Sequence, residues 1–117
     1  MVVRKWEHAG MTCCIRHGSL GVPCGYVRVP EGHPFYRKHY DRCDVDAYCG
    51  LTFSGYIDGE DGWWLGFDMG HSCDIEFTFE PFRSRLLRTD DDCAIETNKL
   101  AERLAERGGS DGRPVVR

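Results

Sequence analysis

The sequence predicts an α+β fold: a small twisted antiparallel sheet of about four strands, with a C-terminal helix packed on one face. Three observations predict it. Residues 44–54, DVDAYCGLTFS, alternate apolar and polar positions with the period of a strand. Residues 55–62, GYIDGEDG, hold two Asp-Gly steps and lead into a second apolar run at 63–69, the pattern of a hairpin. Residues 90–107 carry Cys93, Thr97, Leu100 and Leu104 at 4-3-4 spacing, a helical stripe widened by Ala94, Ala101 and Ala105.

Taken in order, residues 1–11 read as a lead-in segment anchored by Trp6, and 12–16 as a short β-permissive stretch. Residues 17–23 form a loop. Residues 24–29 alternate as a strand, with Tyr26 and Arg28 on one side and Val27 and Val29 on the other. Pro30-Glu31-Gly32 turns the chain. Residues 31–43 follow neither period and read as an ordered surface loop pinned by Phe35, Tyr36 or Tyr40. In the 44–54 strand, Val45, Ala47, Cys49, Leu51 and Phe53 take the core side. Asp44, Asp46 and Tyr48 then fall on the wet face. On the return strand Trp63, Leu65 and Phe67 share one side and Trp64, Gly66 and Asp68 the other. Residues 71–74 read as a loop and 75–79 as a further strand or edge. Thr89 and Asp92 resemble a capping box, and three aspartates, Asp90 to Asp92, suit the positive start of the helix. Leu86 and Leu87 join the same core, Gly108-Gly109 ends the helix, and no internal repeat is visible. Residues 1–107 make one domain and 108–117 a flexible tail.

The chain has 117 residues, 41% hydrophobic and 29% charged, which suits one globular core. No apolar run approaches a membrane span, and the N-terminus has no secretory h-region. With an odd number of cysteines, seven, this points to a reducing cytoplasm and free, buried thiols. The net charge of −4 hides an uneven distribution: residues 1–42 carry +4, residues 43–82 carry −9 and residues 83–117 carry +1. The central segment holds nine acids and neither Lys nor Arg. Such a field calls for water, salt or a basic partner.

Four chemistries can be weighed. Cys14-x2-His17-x6-Cys24, with Cys13 adjacent, supplies soft zinc ligands, but paired short spacings on tight turns are missing. Cys49, Asp68, His71 and Asp74 could make a nucleophilic or hydrolytic set, though Cys49 falls on the core side, where a thiol is inert. The Gly-rich turns at 18–25 and 55–62 match no phosphate loop, and no cofactor is expected. The basic stretch 37–42 is short and the whole chain acidic, so no direct nucleic-acid contact is expected. Protein binding is the reading favoured by the acids. Asp44, Asp46, Asp58, Glu60, Asp61 and Asp68 would meet a basic surface, with Tyr48 and Trp64 as anchors if exposed.

One pattern goes beyond composition. It runs from Gly25-Tyr26-Val27-Arg28-Val29-Pro30-Glu31-Gly32-His33-Pro34 through Tyr40-Asp41 and Asp44-Val45-Asp46 into Gly50-Leu51-Thr52-Phe53-Ser54. It continues with Trp63-Trp64-Leu65-Gly66-Phe67-Asp68, His71, Asp74 and the helix segment from Glu96 to Glu102. This resembles a family of small uncharacterised proteins of bacteriophages and bacterial genomes. The family pattern has His-Gly-Gly where this chain has Tyr48-Cys49-Gly50, and a Cys where it has Met69. The resemblance implies a phage-type accessory protein in the host cytoplasm and carries no activity with it. The expectation is non-catalytic binding of a host or anti-phage defence protein through an acidic sheet face. The alternatives are a small hydrolase-like or zinc-site protein centred on His71, Asp68 and Cys49, and a virion or assembly component.

Overall fold

Five antiparallel strands, one α-helix and a short 3-10 turn make up the regular structure of the described residues, 2–18, 21–70 and 89–108, in a computed structural model of the chain. The strands are β1 (Val2–His8), β2 (Met11–His17), β3 (Pro23–Val29), β4 (Phe53–Gly55) and β5 (Trp63–Asp68), in sheet order β1-β2-β3-β5-β4. The helix α1 spans Asp90–Gly108.

β1 and β2 form a tight hairpin in which His8 pairs with Met11. Its two turn residues, Ala9 and Gly10, both take left-handed φ values, 55° and 76°. That is the geometry that matches strand twist in a two-residue loop. β2 continues antiparallel into β3, and β3 pairs with β5 from Cys24↔Asp68 to Val29↔Trp63. β4 adds a three-residue edge to β5.

Thr89 and Asp92 close a reciprocal cap at the start of α1. The Asp92 N–H donates to Thr89 Oγ1 and the Thr89 N–H donates to Asp92 Oδ2, both at 3.1 Å. The buried stripe Cys93, Thr97, Leu100, Ala101 and Leu104 then lies over β2 and β3. It meets Cys13, Ile15, Val27, Val29, Leu65 and Phe67 in the main core. Each fully buried Leu contributes roughly 1.5–3 kcal/mol. Gly25 is what lets the helix approach so closely: a Cβ there would stand 2.1 Å from Thr97 Oγ1. Polar clamps tie α1 to the β1–β2 hairpin. Arg4 Nη1 meets Asp91 Oδ1 at 3.1 Å, His17 Nε2 meets Asp90 Oδ1 at 2.8 Å, and Trp6 Nε1 donates to Asn98 Oδ1 at 2.8 Å.

The opposite face of the sheet is covered as well. Cys14, Cys24, Tyr26 and Trp64 form a second cluster there, closed by Ile57 and flanked by Phe53. Ile57 comes from the β4–β5 connection, which folds back across the sheet instead of standing off its end.

Several expectations are corrected. The lead-in segment is a full edge strand, β1, so the described sheet has five strands rather than about four. Residues 44–52 are not a strand; regular pairing begins only at Phe53. A turn with Gly50 N–H donating to the Ala47 carbonyl at 2.8 Å, and positive φ at Cys49 (56°) and Gly50 (93°), breaks the extended path. The apolar members Val45, Ala47 and Leu51 still pack on the main core, but from loop backbone, while Phe53, expected on the same side, packs in the second cluster on the opposite face because the turn at Cys49-Gly50 breaks the alternation. The 31–43 segment is pinned as expected, by buried Phe35 and partly buried Tyr36 and Tyr40. The expected strand at 75–79, the loop at 71–74, Leu86, Leu87 and the tail beyond residue 108 lie outside the described residues.

Candidate functional site

The residues that could act fall into an acidic set, a thiol set and two aromatic clusters. The acidic set is partly neutralised from a distance. Glu60 Oε1 sits 2.7 Å from Lys5 Nζ on β1, and Asp44 Oδ2 sits 3.4 Å from Arg107 Nη2 at the end of α1. Arg103 Nη1 donates to the Asp46 backbone carbonyl at 3.2 Å. Asp68 is half-buried and serves the turn after β5: it accepts from the Gly70 N–H at 3.1 Å and from Thr52 Oγ1 at 3.4 Å. The carboxylates of Asp46, Asp58 and Asp61 are exposed and meet no partner among the described residues.

The proposed aromatic anchors take other roles. Trp64 is fully buried, and its Nε1 donates to the Asp61 carbonyl at 3.0 Å. Strict alternation does place it opposite Trp63, but Ile57 and Phe53 turn that side into a second core. Tyr48 is half-buried against the helix-side core, 6.2 Å from the Phe67 ring. Among the described residues the exposed aromatic is Tyr56, 59% accessible and edge-on to Trp63 at 5.2 Å. It shares the 56–62 loop with Asp58 and Asp61. This loop is fixed by buried Ile57, by the Trp64–Asp61 hydrogen bond and by the Lys5–Glu60 pair. Ile57, the lone aliphatic residue in GYIDGEDG, is the signal that could have revealed the fold-back.

The thiols of the described residues do not assemble into a metal centre. Cys13 and Cys14 are adjacent on β2 and project into opposite cores. His17 is engaged with Asp90, and Cys24 Sγ lies 3.6 Å from the Val22 carbonyl. No group of three or more His, Cys, Asp or Glu suited to a metal ion occurs among the described residues. Burial pushes Cys13 and Cys93 up to about 12 and Cys14 up to about 11, so these thiols are poor nucleophiles at neutral pH. Cys49 departs from the expectation of free thiols: it is disulfide-bonded, half-buried and held at the 47–50 turn, so it presents no thiolate to Asp68, whereas Cys13, Cys14, Cys24, Cys43 and Cys93 are free and buried. His71 and Asp74 lie outside the described residues.

Arg16 centres the second aromatic cluster. Its guanidinium carbon lies 4.8 Å from the Tyr26 ring centre and 5.8 Å from that of Phe53, while Nη2 bonds the Tyr26 hydroxyl at 3.3 Å. Tyr26 and Phe53 meet edge to face at 5.2 Å. The cation is thus absorbed by aromatic faces and seals the second core. Among the described residues no helix is long and apolar enough to cross a membrane. No protein-family model, no curated protein and no solved structure matches the chain.

Proposed function

We propose that this chain is a non-catalytic binding protein whose contact surface is the 56–62 loop and whose partner is a protein with a basic surface, the Asp46 carboxylate adding to the negative field from outside the loop. One observation carries the reading. The loop is tied down at Ile57, Glu60 and the Asp61 carbonyl, yet Tyr56 and the Asp58 and Asp61 carboxylates remain exposed. A recognition loop fixed before binding loses little conformational entropy on contact. Exposed carboxylates of one sign speed the encounter with a cationic surface, and a rigid aromatic supplies the anchor. The internal pairs of Asp44, Glu60 and Asp68 narrow the acidic set to Asp46, Asp58 and Asp61. The resemblance to phage-encoded proteins favours a host or anti-phage defence factor as the target, with the binding itself as the inhibitory act.

The test is affinity capture from a bacterial host lysate at two ionic strengths, with wild type and an Asp46→Lys, Asp58→Lys, Asp61→Lys triple variant. Salt screens such contacts beyond about 10 Å at 0.1 M. Wild type should capture a basic protein at low salt and lose much of it at high salt; the triple variant should lose it at both. Equal capture by wild type and triple variant at low salt would remove the acidic loop from the reading.

A further inference from the structure

His33 is a buried polar residue with a fully determined hydrogen-bond geometry. Only 6% of it is accessible, between the 30–43 segment and the end of α1. The Phe35 backbone N–H donates to Nδ1 at 3.0 Å, and Nε2 lies 2.7 Å from the Leu104 carbonyl oxygen. A backbone N–H can only donate and a carbonyl can only accept. The ring must therefore be neutral, with its single proton on Nε2. The seat is tight: a Cβ at Gly108 would stand 2.8 Å from His33 Cδ2, and the Phe35 ring lies 5.3 Å from the imidazole.

We propose that His33 is a proton-operated latch between α1 and the 30–43 segment: neutral, it clasps both, and a second proton on Nδ1 forces it to release Phe35. The two N–H groups would otherwise point at each other at hydrogen-bond distance. Among the described residues no carboxylate bonds the ring to offset that proton. The cations nearest in the helix sequence, Arg103 and Arg107, are turned to the Asp46 carbonyl and to Asp44. On the segment itself, His39 is bonded to Asp41, and Glu31 and Lys38 are exposed. Burial in this seat also holds the imidazole below its ordinary value, against the smaller opposing pull of the Leu104 carbonyl. The latch is therefore fully closed above the ordinary histidine value, about 6.5, and weakens as pH falls from there toward the lower folded value. Its opening loosens the end of α1 where Arg103 and Arg107 hold residues 44–46, so acid would reach beyond the loop itself.

The experiment is a nuclear magnetic resonance titration of the full chain from pH 8 to 5. It follows the His33 imidazole and the amide hydrogen exchange of Phe35 and of residues 104–107, in wild type and His33→Gln. In wild type the imidazole should titrate below about 6.5. Exchange, corrected for its intrinsic pH dependence, should rise by up to about tenfold per pH unit below that point. In His33→Gln the corrected exchange should be flat. A wild-type imidazole that titrates at or above the ordinary value, or the same pH dependence in the variant, overturns the latch. If the variant fails to fold, the wild-type titration decides alone.

Discussion

Gly25→Ala is the sharpest perturbation of the sheet–helix contact on which the domain rests. The added methyl would meet Thr97 Oγ1 at 2.1 Å and the Phe67 ring at 2.8 and 2.9 Å. Ordinary contact begins at 3.4 Å, so Thr97 or the helix beneath it must give way by about 1.3 Å. Thr97 is poorly placed to yield. It is fully buried, and its hydroxyl donates to the Cys93 carbonyl at 2.7 Å within its own helix. Gly25 has no left-handed φ, so the cost is steric and not conformational. Overpacking a close-packed site costs about 1–3 kcal/mol, and contact on both sides of the methyl puts this case near 3 kcal/mol. At roughly 4 °C per kcal/mol for a domain of this size, the melting temperature should fall by about 12 °C. Thermal and urea unfolding followed by circular dichroism measure both quantities. Gly25→Ala combined with Thr97→Ala should show a coupling of about 1 kcal/mol or more, because the second change removes the nearest obstacle. A Gly25→Ala protein within 0.5 kcal/mol of wild type, a margin about the size of ordinary surface effects, would mean that α1 does not rest on β3 at this point.

Two further outcomes are expected. Thr89→Ala removes one half of the reciprocal cap and should cost about 1 kcal/mol in urea unfolding, with Thr89→Ser restoring most of it; an unchanged midpoint would show that the cap does not hold the helix start. In alkylation at pH 8 followed by mass spectrometry, Cys13, Cys14 and Cys93 should stay unlabelled until denaturant is added. With Cys14 at about 11, only about one molecule in a thousand is thiolate at that pH. Fast native labelling of any of the three would contradict the burial of both cores.

The parts of the fold that were legible are those whose signals are local. The helix announced itself through the Thr89–Asp92 box and the 93-97-100-104 stripe, and both are present as written. β3 and β5 followed from alternation, including the assignment of Trp63, Leu65 and Phe67 to one core. β1 was hidden by its own edge character. Arg4, Lys5 and Glu7 give it a polar look, and such charges are how edge strands resist further pairing. Its turn is Ala-Gly, which lacks the Asn or Asp that usually marks a two-residue hairpin. Residues 44–52 misled in the other direction. Their period-2 pattern is real in the sequence, and Val45, Ala47 and Leu51 are partly buried on the main core, but by a looped backbone that turns at Cys49-Gly50 and sends Phe53 to the opposite face. Alternation specifies which side chains seek the core and not the path that delivers them.

The acidic segment shows the same limit for charge. Counted along the chain, residues 43–82 have no cation, so their field looks unanswered. In space, Lys5 reaches Glu60 and Arg107 reaches Asp44, across 55 and 63 residues of sequence. A screening length near 10 Å makes the local three-dimensional set of charges decisive, whatever the sequence distance. What survives that correction is smaller and more useful: the carboxylates of Asp46, Asp58 and Asp61, which meet no partner among the described residues. Two of the three lie on a loop that the second core pulls taut through Ile57. The same burial that removes Trp64 as an anchor builds the platform on which Tyr56 stands. Covering the second sheet face and presenting the loop are thus one structural event. Ile57→Ala should therefore weaken the binding proposed for Asp58 and Asp61 even though it leaves both carboxylates in place.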